Sequence, residues 1–102
     1  MIAVGWTTLS KESDAMGIGR TLIEKQLAFC AQVSSPIQSI YRWNDQIETG
    51  SEYRLTLKFL IRNRESLQAE LLSLHPYENP QWIWCRADGV SDAYLDWARD
   101  QS

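Results

Sequence analysis

The sequence predicts an α+β domain of order β-α-β-β-α-β, a split β-α-β sandwich closed by one further helix. Three observations predict it. Stretches of period-two alternation mark strands, two helical stripes fall between them, and the aromatic residues outnumber what two helices can cover. That surplus adds a second expectation: the domain is a subunit of a closed, symmetric homo-oligomer.

Each element has its own warrant. Ile2, Val4 and Trp6 alternate with Ala3, Gly5 and Thr7, which reads as a first strand. Ser10 offers a cap ahead of Glu12 and Asp14, and Ala15, Ile18, Leu22, Ile23 and Leu27 form a helical stripe running to about Phe29. Gly17 and Gly19 each weaken that helix by about 1 kcal/mol relative to alanine, so packing must hold it. From Cys30 to Trp43 the pattern is extended again, with Ile37, Ser39, Tyr41 and Trp43 on one face and Pro36 marking a bulge or edge. Asn44 and Asp45 read as a turn. From Ser51, Tyr53, Leu55, Leu57, Phe59 and Ile61 alternate with Glu52, Arg54, Thr56 and Lys58, the clearest strand in the chain. Asn63 caps a second helix with Leu67, Leu71 and Leu74 on one face, ended by the His75-Pro76 step. Gln81 to Arg86 is a fourth strand, and Ser91 caps a last helix through about Asp100.

The bulk properties bound the function. At 102 residues there is chain for one domain, residues 1–102, and 44% hydrophobic residues suffice for one core. A net charge of −3 excludes an electrostatic footprint for nucleic acid or an anionic membrane. No apolar run approaches the roughly 20 residues of a membrane span. Met1 leads directly into strand-like sequence, so a cytoplasmic protein is expected. Cys30 and Cys85 fit neither a disulfide framework nor a zinc spacing and are expected to be buried thiols.

Few residues carry chemistry. His75 is the one histidine, able to ligate a metal or to end a helix with its ring nitrogens hydrogen-bonded. Lys58 shares a face with Glu52 and Arg54, either as a solvated or inter-subunit salt-bridging face or as an anion site where Lys58, His75 and Tyr77 converge in a cleft between subunits. Trp43 and Trp97 suit packing or an interface, and Trp82 with Trp84 an apolar cover. Gly17-Ile18-Gly19 is no phosphate loop, because it lies inside a helix and Leu22 stands where a third small residue belongs. One histidine and no nucleophile elbow give a hydrolytic triad no support, so an enzyme is not expected.

Leu27-Ala28-Phe29-Cys30-Ala31, Tyr41-Arg42-Trp43, Glu52 with Lys58, His75-Pro76-Tyr77 with Pro80, and Tyr94-Leu95-Asp96-Trp97 occur in an order that resembles the CutA divalent-cation-tolerance family. The resemblance spans nearly the whole chain. It implies a ferredoxin-like subunit in a tight homotrimer, sealed by the hairpin around Tyr41 and Trp43 and by Trp97. In such a trimer Glu52, Lys58, His75 and Tyr77 are the residues expected at the inter-subunit clefts, and the resemblance implies a role in tolerance of copper or other divalent metal ions; the alternative is a very stable structural or interaction trimer with no metal site. The trimer also resembles the PII signalling proteins, which suggests a small effector by analogy. The family's proposed metal ligands are a cysteine late in the first strand, a histidine before His-Pro-Tyr and a glutamate after the second proline. Trp6, Leu74 and Gln81 stand in those places, which leaves His75 as the remaining candidate metal ligand.

Overall fold

The computed structural model describes residues 1–102. Five strands, β1 (Ile2–Leu9), β2 (Cys30–Val33), β3 (Ile37–Trp43), β4 (Gln46–Leu60) and β5 (Ile83–Arg86), and three helices, α1 (Glu12–Glu24), α2 (Arg64–Leu74) and α3 (Asp92–Gln101), follow in the order β1-α1-β2-β3-β4-α2-β5-α3. The sheet runs β2-β4-β1-β5, antiparallel throughout, with β3 also paired to β4. This is the expected α+β, ferredoxin-like arrangement with a C-terminal helix. No helix is long and apolar enough to cross a membrane.

The two faces of the sheet are built differently. Leu55, Leu57 and Phe59 of β4 and Ala3, Thr7 and Leu9 of β1 point to one side and are fully buried there. Ala15, Ile18 and Leu22 of α1 and Leu67 and Leu71 of α2 complete that core. Gly19 has a packing reason: a Cβ there would lie 3.1 Å from the Ala31 Cβ, so α1 can sit close on β2 only without a side chain. At Gly5 the Trp82 ring occupies the space, 2.4 Å from where a Cβ would stand. On the opposite face α3 covers one end of the sheet, closing Ile2, Phe29 and Leu60 under Ala98.

The last strand starts at Ile83 rather than Gln81, and α1 is preceded by Lys11 with no side-chain cap from Ser10. Three larger differences from the sequence reading have identifiable causes. Helix α1 ends at Glu24 rather than near Phe29. Gln26 adopts a left-handed φ of 56°, the Leu27 amide returns to the Leu22 carbonyl at 3.0 Å, and the Gln26 amide to Ile23 at 2.9 Å. This double bond pattern closes a helix end, and it usually recruits glycine, so the sequence carries little warning of it. The extended stretch 30–43 is two strands, because the ladder breaks at Ser34–Pro36; the Ser34 hydroxyl accepts the Arg54 amide at 2.8 Å in place of a carbonyl. The long strand begins at Gln46, five residues before Ser51, because Asn44 (φ 49°) and Asp45 (φ 62°) form a two-residue turn whose twist suits a tight hairpin.

That hairpin projects as an arm, and the molecule measures 45 × 25 × 24 Å. Trp43 pairs with Gln46 at its tip and Tyr41 with Glu48 below it. Side chains alternate, so Tyr41 and Trp43 occupy one face of the arm and Ile40 and Ile47 the other. Ile40 is 73% exposed, Ile47 70%, Tyr41 49% and Trp43 48%.

Candidate functional site

A polar hub stands where the arm meets the sheet. The His75-Pro76 step ends α2 with His75 extended at φ −73°, ψ 132°, which turns the imidazole into the core beneath β1. The ring is buried against both Thr7 and Thr8: Nε2 lies 2.9 Å from the Thr7 hydroxyl and 3.1 Å from the Thr8 carbonyl. Nδ1 accepts the Tyr77 backbone N–H at 3.2 Å. An amide can only donate and a carbonyl only accept, so the neutral ring carries its proton on Nε2. Burial lowers the His75 pKa below its ordinary 6.5, against the opposing pull of the Thr8 carbonyl, Asp14 and Glu52.

Tyr77 carries the network to the arm. Its ring sits 4.8 Å from the imidazole, and its hydroxyl donates to Glu52 at 2.7 Å. Burial and then the Glu52 carboxylate push the Tyr77 phenol up to about 12. Burial also works to raise Glu52, but hydroxyl donors on Ser39, Tyr77 and Thr8, helped by His75, outweigh it and hold the carboxyl below its ordinary 4.5. The Tyr77 hydroxyl bond thus ties the stretch after α2 to β4 through Glu52, with the Thr8 and Ser39 hydroxyls of β1 and β3 as further influences that favour its carboxylate.

Of the cleft residues expected from sequence, Glu52, His75 and Tyr77 come together within one chain. Lys58 does not join them there. It lies six residues along β4, roughly 20 Å away at the usual strand rise, with its Nζ 5.9 Å from the Tyr94 ring of α3. A cleft holding all four therefore takes Lys58 from a different chain. Trp97 stacks edge-on to Phe29 at 5.8 Å and remains 44% exposed, while Tyr41 and Trp43 lie on the arm. The sequence reading missed Thr7, Thr8 and Ser39. Thr7 left one trace: it falls in the register of Ala3 and Leu9, and a hydroxyl on a core-facing position calls for a partner.

The donor set does not fit a metal ion within one chain. Both His75 nitrogens are committed, one as acceptor and one as donor, and the Glu52 carboxylate already accepts the Tyr77 hydroxyl. No group of three or more His, Cys, Asp or Glu side chains converges anywhere. Trp6 pairs with Thr56 and Ile83 on the face away from α1 and α2, Leu74 is exposed at the end of α2, and neither side chain can ligate. Gln81 is exposed ahead of β5. Cys30 and Cys85 lie in one cross-strand row, with Lys58 and Val4 between them. Three strand spacings separate them by roughly 14 Å, beyond disulfide or shared-ligand reach. Cys30 is half-buried and Cys85 exposed, so the expectation of two buried thiols fails for Cys85, which sits on an edge strand that nothing in the chain covers.

Fold and hub together define a class: an antiparallel α+β domain with a projecting hairpin arm rooted in a network of the buried His75 and the half-buried Tyr77 and Glu52. Residues 3–101 match the family model of the CutA1 divalent ion tolerance protein, and the chain belongs to that family. It is 33% identical over 95 residues to the divalent-cation tolerance protein CutA of Thermotoga maritima, covering 93% of each. The solved structure of the divalent cation tolerance protein of Thermus thermophilus superposes with a TM-score of 0.95 at 29% identity, over 100% of this chain and 99% of that one. That of the Archaeoglobus fulgidus CutA, described as periplasmic, gives 0.94 at 25% identity, over 99% and 98%.

Proposed function

We propose that this protein serves divalent-cation tolerance as a cytoplasmic homotrimer without enzymatic activity, acting through the surfaces between its subunits rather than through a metal centre inside one chain. The observation that carries this reading is the arm, which presents exposed large apolar side chains on both faces, uncovered by its own chain. A two-fold dimer covers one face of such an arm; a ring of three lets each arm lie between its two neighbours, which favours the trimer. The committed nitrogens of His75 support the absence of a metal at that residue.

One observation favours a ligand between subunits. Lys58 is half-buried on the sheet face and forms no ion pair within its chain, so a carboxylate or other small anionic effector entering an inter-subunit cleft would find a cation there. Such a role parallels the PII signalling proteins by analogy of assembly. Calorimetric titration of copper(I), copper(II) and zinc into the wild type and His75→Ala tests the metal side. Equal binding in both proteins is expected, and a loss of about tenfold or more in His75→Ala would place a metal on the imidazole.

A further inference from the structure

At the end of β1 remote from the hub, two arginines share one indole. The Arg64 guanidinium, at the start of α2, lies 5.9 Å from the Trp84 ring, and the Arg86 guanidinium, at the end of β5, lies 6.0 Å from it. Trp84 is itself fixed, packed against the core and edge-on to Phe59 at 6.3 Å. Arg86 has no carboxylate partner, and Arg64 has only its exposed sequence neighbour Glu65 at 3.6 Å. We propose that Arg64 and Arg86, held on Trp84, form a binding site for a phosphate-type oxyanion carried on a small soluble molecule.

The physical case rests on arrangement and charge. A guanidinium on an indole uses its flat face for the ring and keeps its N–H edge free for an oxyanion. Both side chains are exposed, and contact with the ring at about 6 Å would remove part of their rotamer freedom before an anion binds. The chain carries a net charge of −3, so an anion is repelled by the molecule as a whole and is held only where cations are concentrated. Two guanidiniums match a dianion with several acceptor oxygens better than a single carboxylate, which selects phosphate.

Calorimetry of the full-length protein at low ionic strength, with inorganic phosphate, pyrophosphate and acetate as probes, tests the site. Phosphate and pyrophosphate are expected to bind saturably, acetate at least about tenfold more weakly. Arg86→Met and Arg64→Met each weaken phosphate by about tenfold or more, and Arg86→Lys falls between, because lysine keeps the charge and loses the fork. Arg86→Lys also preserves the aliphatic stem on the edge strand, so the test stands even where the methionine variant misfolds. No phosphate binding tighter than about 10 mM, acetate equal to phosphate, or variants equal to wild type would overturn the proposal.

Discussion

The two faces of β4 show what this chain completes by itself and what it does not. On one side Leu55, Leu57 and Phe59 are closed off by α1 and α2; on the other Thr56 and Lys58 are only half-covered, and beside them Trp6 is half-buried and Ile83 exposed. Along the arm the contrast disappears, since Ile40 and Ile47 on one face and Tyr41 and Trp43 on the other are all exposed. One strand thus passes from a core closed by its own chain to a surface that the chain leaves open. The hub on Glu52 stands at the junction, tying the uncovered arm to the finished core through directional bonds.

The contrast is broken most severely from the core side. Phe59→Ala removes a fully buried ring that Trp82 and Trp84 both contact, and urea unfolding should show a loss of about 3–5 kcal/mol. On the arm, Ile40→Ser with Ile47→Ser removes two side chains worth about 1.5–3 kcal/mol each when buried. The subunits should therefore dissociate at concentrations more than about a hundredfold higher, while circular dichroism of the separated chains keeps its native shape. An unchanged association would show that the arm is not the contact surface.

The hub predicts a pH window rather than a single shift. His75 has its pKa lowered in the fold, so the unfolded chain binds the proton more readily, and stability falls as pH drops below 6.5. Glu52, lowered from 4.5, adds a second loss at lower pH. Tyr77 runs the other way: raised from 10.0 to about 12, it favours the fold while protonated, and its contribution is lost as pH climbs from 10 towards 12. Thermal unfolding should accordingly be most resistant between about pH 7 and 10. A His75→Gln variant should flatten the acid shoulder nearest neutrality and leave the alkaline limb in place. The smallest effect is a gain. Gly17→Ala adds a Cβ with nothing within 4 Å, and should stabilise α1 by about 0.5–1 kcal/mol, read as a raised urea midpoint.

The sequence reveals the finished core more readily than the hub. Leu55-Thr56-Leu57-Lys58-Phe59 states its period plainly, and the His75-Pro76 step ends α2 at Leu74 for the reason proline chemistry gives. The end of α1 was hidden because Gln26, not glycine, takes the left-handed position. In the hub, Glu52, His75 and Tyr77 are visible as chemically capable residues, but His75 is held by Thr7 and Thr8, which lie far from it in sequence, and Tyr77 bridges it to Glu52. Ordinary serine and threonine carry no periodic signal, and only the fold brings them together. Lys58 looked like a neighbour of Glu52 because the two share a face; strand rise, not face, sets their separation.

A second and third copy of the chain are what would close the uncovered arm and sheet face. Sedimentation equilibrium of the full-length protein near neutral pH tests this most directly. The prediction is a mass three times the 11.8 kDa chain, stable to dilution and lowered in the Ile40→Ser, Ile47→Ser variant. A wild-type mass of a single chain would contradict it.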